Sequence, residues 1–258
     1  MHSLAGKVAI VTGASKGMGR HFAAALVARG MRVVCLARKS DELDSLTAQH
    51  GDKVLVLPCD IASPEQVNQA IDQAIAVFGQ IDVVVNNAAM FHPFAFEAGS
   101  DEIIRSHVEL NLLGVAWMIR AAIPHLKASK GQIVSISSES VNLPFPMLAL
   151  YAATKAAVEV LSEGLREELR SDEIRVSVLR SGSVSGGSGG ASWSQETSQA
   201  FYRKIVETGH AAMSGSPATP QSMAEALVAI LSLPRDVSVD LIELRAAQAG
   251  MPEGARSV

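Results

Sequence analysis

Short runs of aliphatic and β-branched residues recur along the chain at 8–12, 33–36, 54–57, 83–85, 133–136, 176–179 and 237–244. Continuous apolar runs of this length read as strands buried on both faces. Between them lie longer stretches with helical spacing, at 18–29, 41–49, 64–78, 101–127 and 151–170. Some of these open on a cap: Ser63 precedes Pro64 and Glu65, and Ser100 precedes Asp101 and Glu102. Alternating strands and helices predict an α/β fold. The expected form is a Rossmann-type doubly wound parallel sheet of about seven strands with helices on both faces, as a single domain over 1–258. The one shift in composition is the Gly- and Ser-rich stretch 181–194, which predicts a mobile substrate loop around 181–210.

Composition narrows the function classes. Of the 258 residues 48% are hydrophobic and 19% charged, and the net charge is −4. A core is therefore available, and neither global disorder nor a polybasic nucleic-acid or membrane binder is expected. Cys35 and Cys59 form no C-x-x-C pair and the seven histidines no H-x-x-x-H pair, so no disulfide framework and no metal site is expected. The longest apolar segment, 110–119, is interrupted by Asn111 and is too short to span a bilayer. A cytoplasmic protein is the expectation.

The first strand runs into Thr12-Gly13-Ala14-Ser15-Lys16-Gly17-Met18-Gly19 and then into a helix. A glycine-rich turn in that context lets the backbone approach a pyrophosphate, while the helix N-terminus supplies N–H groups and partial positive charge. The plain alternative is an ordinary glycine-rich βα turn. Binders of NAD usually place an acid at the end of the second strand. Here that stretch reads Leu36-Ala37-Arg38-Lys39, with no carboxylate until Asp41. Arg38 can clamp a 2′-phosphate, and Lys16 could reach the same group. These residues favour NADP(H), with NAD(H) the lesser choice; solvated loop charge is the bland reading.

Tyr151 and Lys155 stand four apart at the start of a helical pattern, so both side chains share one face. A neighbouring ammonium favours a phenolate and makes the tyrosine a usable acid or base. Ser138 ends the fifth apolar run, where the carboxyl end of a strand meets the ligand crevice of an open sheet. On spacing alone, a turn-forming serine in Ser137-Ser138-Glu139-Ser140 is the better reading.

With these residues in place, the sequence resembles the short-chain dehydrogenase/reductase family in its compact form, from Lys7 to about Leu244. The matching signatures are Thr12–Gly19, Asp60, Asn86-Asn87-Ala88-Ala89, Asn111, Ser138 and Tyr151-x-x-x-Lys155. The resemblance implies hydride transfer between a nicotinamide and a carbonyl or alcohol. It makes Tyr151 the general acid/base and lets Ser138 polarise the carbonyl. Lys155 would lower the tyrosine pKa and hold the nicotinamide ribose, and Asn111 a relay water. Cofactor contacts are implied for Gly13, Ser15, Lys16, Gly17, Met18, Gly19, Arg38, Asp60, Ile61, Asn87, Ala88, Tyr151, Lys155, Gly182 and Val184.

Two departures stand out. Ala89 replaces the usual glycine, and Ser181-Gly182-Ser183-Val184-Ser185-Gly186 lacks the expected proline and threonine, leaving Ser185 or Ser188 to stand in for the hydroxyl. Phe91, Phe94, Phe96, Leu143, Phe145, Met147 and Leu148 follow the fourth and fifth strands and point to a bulky apolar substrate, with loop packing or a subunit contact as an equal alternative. His92 reads as a loop histidine. Trp193, Phe201 and Tyr202 could form a lid. Helices apolar on more than one face, at 110–123 and 152–161, imply a homodimer or homotetramer. The competing reading is a dinucleotide-binding regulator without turnover.

Overall fold

Each of the seven apolar runs forms a strand: β1 (Val8–Thr12), β2 (Arg32–Ala37), β3 (Val54–Pro58), β4 (Val83–Asn86), β5 (Gln132–Ser138), β6 (Arg175–Ser181) and β7 (Leu241–Leu244). This is seen in a computed structural model that describes residues 3–186, 193–210 and 216–247. The sheet is parallel throughout, in the order β3-β2-β1-β4-β5-β6-β7. The last strand is shorter than its alternating sequence predicts. Val237 donates its N–H to Pro234 O, closing a turn, and pairing with β6 begins only where Val178 N–H reaches Asp240 O.

Helices α1 (Gly17–Ala28), α2 (Asp41–His50), α3 (Pro64–Phe78), α4 (Asp101–Val108), α5 (Gly114–Ser129) and α6 (Ala149–Glu168) fill the predicted crossovers. Two more, α7 (Gln195–Glu207) and α8 (Pro220–Leu231), lie where no helix is expected from the spacing. Their caps are legible afterwards: Ser194 accepts from Thr197 N–H and Thr219 from Ser222 N–H. The expected helix over 101–127 is broken by a π turn at Glu109–Leu113. Each residue of β1 feeds one side of the sheet. Ala9 and Val11 pack with Phe22 and Leu26 of α1 and Leu227 of α8, while Val8 and Ile10 pack with Ile71 of α3 and Met118 of α5.

The winding direction reverses between β1 and β4, which opens a crevice at their carboxyl ends. Thr12, fully buried at the end of β1, closes its floor. Its hydroxyl accepts the N–H groups of Asn87 and Ala88, both at 3.0 Å. Asn87 Nδ2 returns the contact to Thr12 O at 2.9 Å and Gly13 O at 3.3 Å. Thr12→Val keeps the shape and strands both N–H groups. It should cost roughly 2 to 4 kcal/mol in urea unfolding, with cofactor affinity falling as well.

Candidate active site

The glycine-rich turn sits on this floor. Gly13 has φ +66°, and a Cβ there would lie 2.9 Å from Ala88 Cα; a Cβ on Gly19 would lie 2.2 Å from Gly13 O. Close approach of turn, helix and β4 loop therefore requires both glycines. The start of α1 has no side-chain cap and no acidic residue in its first turn. By contrast α2, α3, α4, α7 and α8 are capped by Ser40, Ser63, Ser100, Ser194 and Thr219. A bare N-terminus behind a glycine turn suits an anionic pyrophosphate, and so the residues present fit a dinucleotide.

Around the turn, Ser15, Gly17 and Met18 are half-buried and Lys16 is exposed. Arg20, which sequence reasoning missed, ties the turn to α2. Its guanidinium donates to Ser15 O at 3.2 Å, Glu42 O at 2.7 Å and Ser45 Oγ at 2.9 Å. The Glu42 carboxyl is held below the usual range by its own backbone N–H first and Ser40 next, with Lys16 and Arg20 contributing less. Arg38 stands exposed just past β2. The remaining expected contacts differ in character. Asp60 Oδ1 accepts Ala62 N–H in a local turn, and the Ile61 side chain is buried in the core under Gly114. Asn87 is committed to the β1 turn.

The segment after β6 is also committed. Ser181, in place of proline, donates to Gly182 O and lies 3.8 Å from Met18 Sδ. Gly182 N–H bonds Leu244 O at 2.8 Å. Val184 bridges to Ala218 and packs on the core, and Ser185 Oγ donates to Ala218 O. Ser185 therefore does not present the hydroxyl lost with the threonine. Ser188 lies outside the described residues.

The polar residues of the β5–α6 side converge. Ser138 ends β5, Tyr151 and Lys155 lie on the first turns of α6, and the Ser138 hydroxyl is near enough to the Tyr151 phenol to act on its pKa. Lys155 Nζ donates to Ile136 O at 2.8 Å and stands 5.8 Å from the Tyr151 ring centroid. Burial pushes the Tyr151 phenol up to about 12, and the nearby Ser138 hydroxyl pulls it the other way. Burial brings the Lys155 ammonium down to about 8. Desolvation thus outweighs the lowering of the phenol that the sequence implies for Lys155.

Asn111 sits in the π turn, buried. Its Oδ1 accepts Met90 N–H at 2.7 Å, and its Nδ2 donates to Met90 O at 3.0 Å and Thr154 Oγ1 at 3.1 Å. Both amide protons are engaged, so the side chain staples the β4 loop to α6.

An aromatic wall faces this group. The Phe91 ring meets Tyr151 edge-on at 5.0 Å, Trp193 at 5.2 Å and Phe201 at 6.3 Å. Trp193 Nε1–H donates to Phe91 O at 2.9 Å, which docks the start of α7 onto the β4 loop. The other expected pocket residues divide. Phe94 lies against His107, Phe145 against His210 and Leu148 in the interior, while Phe96 is 63% and Tyr202 59% exposed. The Tyr202 ring nonetheless lies 6.0 Å from that of Phe201, at the outer margin of the wall. Burial first, then His107, lowers the pKa of the half-buried His92.

A sequence model of the short chain dehydrogenases matches residues 7–197. The chain belongs to this family. It is 36% identical over 188 residues to an 11-beta-hydroxysteroid dehydrogenase-like protein of Arabidopsis thaliana, covering 71% of this chain and 60% of that one. The chain thus spans about three fifths of that relative's length. An uncharacterized oxidoreductase of Staphylococcus haemolyticus is 30% identical over 247 residues, 95% of this chain and 99% of that protein. Among short-chain dehydrogenases of known structure, the 3-ketoacyl-(acyl-carrier-protein) reductase of Brucella melitensis, in complex with NADH, superposes with a TM-score of 0.82. The identity is 28%, over 94% of this chain and 98% of that one. The alcohol dehydrogenase of Thermococcus sibiricus, in complex with 5-hydroxy-NADP, gives a TM-score of 0.79 at 28% identity, over 96% and 99%.

The Lys155 shift has a signed consequence. Between its folded value near 8 and its ordinary 10.5, the unfolded chain binds the extra proton, so stability from this group rises with pH. The stability of the wild type relative to Lys155→Met should therefore increase by about 2 kcal/mol between about pH 7.5 and pH 10 in urea unfolding.

Proposed function

We propose that the protein is an NADP(H)-dependent oxidoreductase that interconverts a ketone and a secondary alcohol on a sizeable apolar substrate. The observation that carries this reading is the convergence of Ser138 at the end of β5 with Tyr151 and Lys155 on α6, at the edge of a crevice suited to a dinucleotide. Gly13, Ser15, Lys16, Gly17, Met18 and Gly19 would hold the pyrophosphate side, and Arg38 the 2′-phosphate. Asp60 and the Ile61 backbone would flank the adenine, Asn87 and Ala88 the adjoining ribose, and Gly182 and Val184 the carboxamide. A bound nicotinamide supplies the hydride in reduction and accepts it in oxidation.

The chain's own residues handle the proton. A buried phenol is neutral near pH 7, so Tyr151 acts as an acid, giving its proton to the carbonyl oxygen as the carbonyl carbon is reduced. Ser138 donates to the same oxygen. Lys155 stabilises the phenolate left behind and holds the nicotinamide ribose. Asn111 fixes the loop opposite, and with both of its amide protons engaged, a relay water would rest on its main chain. In this arrangement reduction is the natural direction at neutrality, and alcohol oxidation gains as pH rises.

The wall of Phe91, Trp193 and Phe201 supports an apolar substrate, as do hydroxysteroid dehydrogenase relatives. Of the expected substrate loop at 181–210, residues 187–192 lie outside the described residues; the segment from Trp193 into α7 would open and close over the substrate. Leu113, in the π turn leading into α5, is 37% exposed and Val160 of α6 is 68% exposed, which supports pairing of these faces in a homodimer or homotetramer.

NADPH oxidation against ketones of graded size tests the reading. Turnover should vanish in Tyr151→Phe, and larger apolar ketones should give higher kcat/KM. Binding of NADPH without turnover on any ketone would favour the silent regulator. Arg38→Glu should raise KM for NADPH by about tenfold or more while changing that for NADH little. An equal effect on both would remove the argument for NADP(H).

A further inference from the structure

We propose that Ser140 is a positioning residue for the proton transfer, acting by filling both acceptor sites of the Ser138 hydroxyl so that Ser138 can only donate. The proposal rests on the oxidoreductase reading given above. Ser140 lies in the short 3-10 turn Glu139–Val141 that follows β5 directly, and it is 2% exposed. Its N–H donates to Ser138 Oγ at 3.2 Å and its own hydroxyl to the same oxygen at 3.0 Å.

A serine hydroxyl has two lone pairs and one proton. With both lone pairs engaged, the Ser138 proton is left for the neighbouring Tyr151 oxygen on α6, or for a carbonyl oxygen arriving between them. The converse matters more. Were one lone pair open, the Tyr151 hydroxyl could donate to Ser138, parking its proton where no chemistry uses it. Ser140 closes that alternative and keeps the phenolic proton for the carbonyl oxygen. The two donors also polarise Ser138 O–H and make it a stronger donor to the phenolate. The charged groups nearby are unaltered by a change at 140: Lys155 is held by Ile136 O, and Glu139 pairs with Arg245 at 3.2 Å.

The test compares wild type, Ser140→Ala, Ser140→Thr and Tyr151→Phe. Measurements are kcat and KM for NADPH and for a ketone, NADPH binding by fluorescence, and the pH profile of alcohol oxidation. Ser140→Ala should lower kcat about tenfold with NADPH affinity within about twofold, and shift the acid limb of oxidation to higher pH. Ser140→Thr, which restores a hydroxyl, should recover most of both. An active wild type with Ser140→Ala equal to it in kcat and pH profile overturns the role of Ser140 alone. So does a loss that Thr does not rescue and that NADPH affinity shares, because it marks a merely structural residue. A wild type that binds NADPH and matches Tyr151→Phe in lacking turnover overturns the oxidoreductase reading, and the proposal falls with it.

Discussion

The interlock of Thr12 with Asn87 and Ala88 is the constraint on which the rest of the crevice depends. Parallel strands on either side of a winding reversal have no crossover helix between their ends, so side chains must fix the separation of the two loops there. The Thr12 hydroxyl and the Asn87 amide do this with four hydrogen bonds. From Asn87 the loop continues to Met90, whose N–H and C=O are both taken by Asn111. Asn111 bonds Thr154, and the Thr154 hydroxyl bonds Tyr151 O at 2.7 Å. A single path of short contacts therefore runs from the turn suited to a pyrophosphate to the helix carrying the phenol.

A second set of polar groups secures the far side. Ser137 on β5, Arg180 on β6 and Glu243 on β7 occupy one level across three paired strands. Glu159 on α6 accepts from Ser137 Oγ at 2.6 Å and, through its two oxygens, from Nε and Nη2 of Arg180, whose Nη1 donates to Glu243. Glu159 lies one turn beyond Lys155 on the same helix face, as Lys155 lies one turn beyond Tyr151. The network sits one residue below Ser138 and Ser181, so the strand ends are fixed by ionic bonds where the family resemblance leads one to expect a proline. Guanidinium and carboxylates this enclosed are costly to separate.

The legible part of the molecule was the part whose signal is local. Strand runs and most helix limits follow from side-chain period, and the Tyr151, Lys155 pair from its spacing of four. The misses have a common cause. Arg20 acts on Ser15 O, Glu42 O and Ser45 Oγ, which no hydrophobic pattern records; Asn111 is named from the sequence, but its bonds to the Met90 main chain are not legible there; and Ser140 hides in a serine-rich turn that reads as punctuation. Helices α7 and α8 follow a Gly- and Ser-rich stretch whose composition reads as loop, and only their Ser194 and Thr219 caps mark where they begin. The π turn is invisible to a periodicity argument, since 101–127 reads as helix on either side of it. The alternation at 237–240 misled for the opposite reason, because Arg175 draws Val237 O into a turn where the pattern promised a strand.

That π turn holds one residue more than an α-helix needs over the same span. Losing any one of residues 109–113 would let ordinary α-helical bonding run from α4 into α5, and the local backbone would be more regular. Yet each residue turns a helix by about 100°, so α4 would swing by that angle about its axis relative to α5. The buried His107 would be carried toward solvent, and the Asn111 level would no longer face Met90 and Thr154. The most economical improvement to the helix is thus the one change of length that this stretch of chain cannot absorb.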